Sequence, residues 1–304
     1  MSHDADIGRR AVVSAPLDLQ SVQPLSSAIS VEIAAASVRG LSRSENSDQY
    51  MAIRTSRTQE TLLTSLGAAD LPQPFEESGY AMIVADGLGE GAIGARASRL
   101  TLGALAHLAI EYGKWNIRLT HDSPQEIRQQ GEFLMRNAHQ TILEASRANM
   151  TLVNMATSLT ALYIIEDRLF FAHVGHATAF LFREGGLIRL TTSHSLDDQG
   201  PVSPFLPRAD HGLLRDSDTL VTEALGARGP GPNFDIEHCS LASGDRLLLC
   251  TNGLTDMVTH EQIADALAAR HRPQDDCEHL IDLATAAGRP DDVTVMLADY
   301  TIRR

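Results

Sequence analysis

From Asn154 to Thr192 the chain sets three strand-like runs one behind another, "NMATSLTALYIIED", "RLFFAHVGHATAFLFREGG" and "LIRLTT", parted only by short polar or glycine turns. Turns that short join antiparallel neighbours, because a parallel crossover needs a dozen residues or more. Three further strands precede them, "ISVEIAAASVRG", "DQYMAIRT" and "GYAMIVAD", and two follow, "DRLLLCT" and "DVTVMLADY". The helical stretches come in two consecutive pairs. In "AIGARASRLTLGALAHLAIEYG" the residues Ile93, Ala97, Leu100, Ala104 and Leu108 share a face, and Gly113 caps the end. Its partner opens at "SPQE", with Ser123 as N-cap, Pro124 at the first helical position and Glu126 closing a capping box. Ile127, Leu134, Ala138 and Ala145 form the apolar stripe of that second helix. The later pair is "THEQIADALAAR", capped by Thr259 and Gln262, and "DDCEHLIDLATAAG", ending at Gly288.

Hairpin-linked strands with paired helices argue against an alternating parallel fold. The predicted class is α+β: two packed antiparallel β-sheets flanked on each side by a pair of helices. Residues 1–28 carry Ser, Pro, Asp and Gln without sustained periodicity and read as a disordered tail. Residues 29–304 read as a single domain, interrupted by a long polar loop at about 55–78.

Net charge of −14 opposes a nucleic-acid backbone or an anionic membrane as partner. Cys239, Cys250 and Cys277 are too few and too irregularly spaced for a disulfide framework or a zinc knuckle. No apolar run approaches the roughly 20 residues that span a bilayer. The expectation is a cytoplasmic protein.

Four strand ends carry the chemistry: "RSENSD", "ADGLGEG", "CTNGLTD" and "GRPDDVTV". Each offers Asp or Asn oxygen, and none has the Cys/His spacing zinc prefers. Hard oxygen donors beside glycine suit magnesium or manganese. Asp-Gly and Asn-Gly are also common turn formers, so any one of the four alone reads as a turn. Four beside predicted strands shift the balance toward a metal site.

In this order the blocks resemble those of the metal-dependent protein phosphatases, the PPM or protein phosphatase 2C family, in its bacterial form. "RSENSDQYMA" matches the family's Arg-x-x-Asn-Glu-Asp segment, and "VADGLGEGAIGARAS" its Asp-Gly-Met-Gly-Gly segment. "MATSLTALYI", "AHVGHATAFLFREGGLIRLTTSHS", "EALG", "GDRLLLCTNGLTDMV" and "RPDDVTVML" follow collinearly, so that the resemblance runs from about Ile29 to Tyr300. It implies a β-sandwich between helical layers and two manganese or magnesium ions at one edge, whose bridging water attacks phosphoserine or phosphothreonine. Asp86 would bridge the ions, the Gly87 carbonyl would touch one of them, and Asp291 would be a terminal ligand. Asp48 would orient water, and Arg43 would bind phosphate, to which a guanidinium fork is suited. A phosphorylated protein would be the substrate, with a Ser/Thr kinase as counterpart. His194 also matches a family position, and no chemistry is assigned to it.

The chain departs from the pattern at three places. Ser47 stands where the family has Glu or Gln, His176 replaces the carboxylate of Val-Gly-Asp, and Asn252 replaces the ligand Asp of Ser-Asp-Gly. An amide still offers oxygen but no charge. Asp292 returns one carboxylate beside Asp291, although neighbours on a strand point to opposite faces. His176 is read either as a nitrogen ligand or as a surface residue, and His173, three residues away, belongs to the other face. Two functions compete: a phosphatase with a weakened site, and a pseudophosphatase that binds a phosphoprotein without turnover.

Overall fold

The computed structural model describes residues 28–303 apart from 68–69, 72–74, 90–91, 113–122, 196–213, 217–218 and 230. The expected tail, the Gly113 cap and most of the segment after His194 lie outside the described residues.

Two five-stranded antiparallel sheets carry the fold. The first has the order β1 (Ile29–Val38), β12 (Val293–Ile302), β11 (Arg246–Cys250), β6 (Thr178–Arg183), β7 (Gly186–Arg189). The second runs β10 (Asp235–Ser240), β5 (Arg168–Val174), β4 (Ala156–Ile165), β3 (Phe75–Leu88), β2 (Asp48–Gln59). A short ribbon joins β8 (Leu214–Asp216) to β9 (Thr219–Val221). Strands alternate their side chains, so each sheet has two faces to bury. The inner faces meet in one apolar cluster: Met82, Val84, Leu162 and Leu169 from the second sheet against Leu181, Leu247, Leu249 and Met296 from the first.

Each outer face is covered by helices. α1 (Ala92–Tyr112) and α2 (Ser123–Ala148) lie on the second sheet, burying Ala97, Leu102, Leu105, Met135, Ala138 and Ile142 against Ile83, Leu159 and Val174. α4 (His260–Ala268) and α5 (Pro273–Ala286) lie on the first, burying Ile263, Leu267, Leu280 and Ala284 against Leu248, Val295 and Leu297. A one-turn helix, α3 (Asn252–Thr255), follows β11 directly. The Thr259–Gln262 capping box is present as expected.

Three expectations are corrected. The loop placed at 55–78 is shorter, because β2 runs to Gln59 and β3 starts at Phe75. Beyond Gly79, where β4 stops pairing, the two strands continue as a ribbon joined by Arg54–Glu76, Arg57–Glu77 and Ser56–Ser78 contacts. Cross-strand polar pairs stabilise such a ribbon without the apolar alternation that marks a strand in sequence. The inward face of α1 is centred on Ala97, Ser98, Thr101, Leu102 and Leu105 rather than on the Ile93–Leu108 stripe. Small residues face the sheet there because helix and strand backbones touch, as the site shows. Third, β10 pairs with β5 at a sheet edge, where "DIEHCS" had no strand signature.

Candidate metal and phosphate site

Asp48 opens β2 and Asp86 lies near the end of β3, and the two are paired residues of one antiparallel ladder. After Asp86 the strand passes under α1 at two glycines. A Cβ on Gly87 would lie 2.0 Å from the Gly94 carbonyl oxygen, so no larger residue fits the crossing. The Asp86 carbonyl accepts a hydrogen bond from Thr157 Oγ1 at 2.7 Å, and the Gly87 N–H donates to the Ser47 carbonyl at 3.2 Å. Ser98 of α1 donates to that same Ser47 carbonyl at 2.6 Å, tying the helix to the 43–48 loop.

From the other sheet, β11 ends at Cys250 and delivers Thr251 and Asn252. Thr251 Oγ1 donates to Asp48 Oδ2 at 2.9 Å and accepts the Thr294 N–H at 3.0 Å, linking both sheets at one point. Asp48 is 2% exposed, and its Oδ1 has no hydrogen-bond partner. Burial pushes its carboxyl up to about 7; the Thr294 and Thr251 hydroxyls oppose the shift, and the charges of Asp292 and Asp291 add to it. Asn252 is also buried: Nδ2 donates to Asp256 at 3.1 Å, while its Oδ1 has no hydrogen-bond partner. An unpaired buried oxygen costs about 1–3 kcal/mol, so two at neighbouring strand ends imply a compensating group.

Asp291 and Asp292 stand side by side with different surroundings. Asp292 is consumed by structure, accepting from the Gly40 N–H, the Ser47 N–H and the Ser47 hydroxyl, each at 2.8 Å. Ser47 and Asp292, both considered as donors to a cation, therefore satisfy each other. Asp291 faces Arg43 in a two-pronged ion pair, Nε to Oδ1 at 2.6 Å and Nη2 to Oδ2 at 2.8 Å. The expected phosphate arginine and the expected metal ligand are thus brought together as a pair.

His176 is 4% exposed, so the reading of it as a surface residue is set aside. Its Nδ1 lies 3.6 Å from Asp86 Oδ2 and 3.4 Å from Ser158 Oγ. The other two histidines serve the hairpin behind it. His173 Nδ1 meets Thr160 Oγ1 at 2.8 Å, and burial drives its pKa down to about 3. His194 accepts the Gly175 N–H at 3.3 Å and lies 3.1 Å from Asp235. His173 packs against His194, ring centroids 5.0 Å apart.

Residues that sequence reasoning passed over are the hydroxyls: Thr157, Ser158, Thr251, Thr294 and Ser98. Their only signal was position, since Thr157–Ser158 and Thr251 sit where strands meet the site. Among the described residues no three Asp, Glu, His or Cys side chains converge into a metal cage by themselves. The donor chemistry nonetheless fits a divalent cation at the strand ends of Asp48, Asp86 and Asn252. It combines buried carboxylate, amide oxygen left unpaired, and a backbone carbonyl at the Gly87 crossing.

Residues 76–301 match the family model described as stage II sporulation protein E, SpoIIE. The serine/threonine protein phosphatase PstP of Mycobacterium tuberculosis is 30% identical over 233 residues, which is 74% of this chain and 42% of PstP. The chain therefore spans less than half the length of that relative. Protein phosphatase PhpP of Streptococcus pneumoniae is 28% identical over 221 residues, 71% of this chain and 84% of PhpP. Among solved structures, the catalytic domain of PstP in complex with two manganese ions superposes with a TM-score of 0.63 at 27% identity, covering 90% of this chain and 99% of that one. The serine/threonine phosphatase of S. agalactiae shares the fold, with a TM-score of 0.68 at 24% identity over 89% of this chain and 99% of that one.

Proposed function

The chain belongs to the metal-dependent PPM-type phosphatase family, and from that premise we propose that it is a serine/threonine protein phosphatase, a hydrolase of phosphoserine and phosphothreonine in a protein substrate. The observation that carries the reading is the pair of unpaired buried oxygens, Asp48 Oδ1 and Asn252 Oδ1, at strand ends joined by Thr251. A divalent cation or its bound water would satisfy both atoms at once.

In this proposal Asp86, the Gly87 carbonyl, Asn252 and Asp291 would hold two ions, manganese or magnesium. Bound there, the ions supply an acidified water and neutralise charge on the transferring phosphoryl group. Asp48, with its Oδ1 unpartnered, would accept a hydrogen bond from the nucleophilic water and orient it. Arg43 would receive the phosphate oxygens with its guanidinium, whose Nε–Nη2 edge is held by Asp291 in this structure. Thr251, Thr294 and Thr157 hold these groups in place. A Ser/Thr kinase is the expected counterpart; nucleic acid and membrane are not partners of a surface this acidic. No helix among the described residues is long and apolar enough to cross a membrane. We assign the work to the cytoplasm, in keeping with the three free cysteines.

The alternative of a phosphoprotein-binding module without turnover rested on Ser47, His176 and Asn252. Ser47 has a structural partner in Asp292, and Asn252 keeps an oxygen available, so two of the three departures are compatible with catalysis. The test is hydrolysis of p-nitrophenyl phosphate and a phosphothreonine peptide across a manganese titration, with Asn252→Asp beside the natural chain. Turnover that saturates with manganese is expected, and Asp86→Ala should lower kcat about a thousandfold or more, roughly 4 kcal/mol. Turnover in Asn252→Asp alone would hand the chain to the binding alternative.

A further inference from the structure

Resting on the proposed metal site, we propose that His176 sets its metal preference: its imidazole supplies a nitrogen donor beside Asp86, so the site takes iron, cobalt or zinc over magnesium more strongly than an all-oxygen site would.

The backbone builds this placement. β5 ends at Val174, and Gly175 turns the chain at φ +102°, a conformation L side chains rarely adopt. A Cβ on Gly175 would come within 2.3 Å of Ser158 Oγ, so the turn is pressed onto β4 at the residue paired with Asp86. The next residue is His176, whose N–H meets Ser158 Oγ at 3.4 Å. Its ring is thereby set against the Asp86 carboxylate, Nδ1 to Oδ2 3.6 Å, with 4% of the residue exposed. Two donors about 2.1 Å from one ion, at octahedral to tetrahedral angles, stand about 3.0–3.5 Å apart. The separation seen is near that span.

Charge points the same way. Magnesium binds through hard, anionic oxygen and dehydrates reluctantly, whereas imidazole suits later divalent ions. At this site Asn252 contributes no charge, and Asp292 spends both oxygens on Gly40 and Ser47. The anionic donors are therefore fewer than the four strand ends promise, and a neutral nitrogen favours an ion that values it.

Calorimetry of the full chain should show cobalt bound more tightly than magnesium, with the magnesium-to-cobalt ratio of dissociation constants falling about tenfold in His176→Asp. Pulsed electron paramagnetic resonance of the bound manganese should show nitrogen modulation that changes when the wild-type chain is made with ¹⁵N-histidine. The isotope arm needs no variant, so a His176→Asp chain that failed to fold would leave the test intact. Manganese bound with no histidine nitrogen overturns the inference while leaving the phosphatase reading standing. A chain that binds no divalent ion at millimolar concentration overturns both.

Discussion

The two ends of β11 show how differently one strand can treat charge. At its start, Asp245 is clasped by Arg183 through two bonds of 2.8 and 2.6 Å and accepts the Ala242 N–H at 2.7 Å. The next residue, Arg246, is wholly buried and meets Asp276 at 2.7 Å, Asp299 at 2.6 Å and the Leu267 carbonyl at 2.8 Å. At its far end, Thr251 offers Asp48 only a hydroxyl, and Asn252 leaves an oxygen unpaired. Carboxylates in the first region come with their cations built in. Those in the second are gathered with Asp48 pushed toward its neutral form, which is the arrangement of a place that waits for a cation.

Breaking the first region should have the largest effect on stability. Arg246→Met removes the cation that serves both Asp276 and Asp299 and leaves the buried Asp276 with only its His271 contact among the ion pairs of the described residues. Loss of one partner of a buried pair costs about 3–5 kcal/mol. Urea denaturation should show that loss in the midpoint with the slope unchanged. A cost below about 1 kcal/mol would mean the network is not what holds β11 to α5.

The contrast was only half legible in sequence. "ADGLGEG", "CTNGLTD" and "RPDDVTV" announced the site end, because a carboxylate or amide at a glycine break is visible as text. Which of two adjacent carboxylates faces a cation was not, since Asp292 is taken up by Gly40 and Ser47 and Asp291 by Arg43, residues that lie 245 to 252 positions away in the chain. The strands with apolar runs were readable for the same reason that the core exists. β10 was not, because an edge strand keeps polar residues such as Glu237 and His238, which blunt edge-to-edge pairing. The buried face of α1 was misplaced because the closeness of Gly87 and Gly94 puts small residues inward. Contact distance between backbones leaves no periodic trace.

At the site end, the comparison sharpens if removing a charge helps the fold. The Asp48 pKa is raised from 3.8 to about 7 in the native protein without metal. The folded state then holds a proton that the unfolded chain has lost, so this stabilisation is full below about pH 4 and disappears as pH rises through 7. Asp48→Asn should escape that loss. Without metal it should gain about 1–3 kcal/mol over the natural chain at pH 8 and almost nothing at pH 4, by thermal or urea melts. Added manganese should erase the gain, because the ion stabilises the natural carboxylate. An advantage equal at both pH values would show that Asp48 does not titrate with folding.

The smallest effect tests the one place where the site end imitates the other. Arg43 clasps Asp291 as Arg183 clasps Asp245, and with the same two-pronged geometry. If Asp291 serves a cation, Arg43 is its competitor in the resting protein and the phosphate anchor in the working one. A group that binds the empty form weakens apparent metal affinity by the free energy of that contact, and a partly exposed ion pair supplies about 1 kcal/mol. Arg43→Ala should therefore tighten manganese binding by about fivefold in calorimetry while raising KM for p-nitrophenyl phosphate. By the same linkage, inorganic phosphate should strengthen manganese binding in the natural chain and have no such effect in Arg43→Ala. An Arg43→Ala chain with weaker manganese binding would make the pair structural, of the kind found at the start of β11, and would remove Asp291 from the metal ligands.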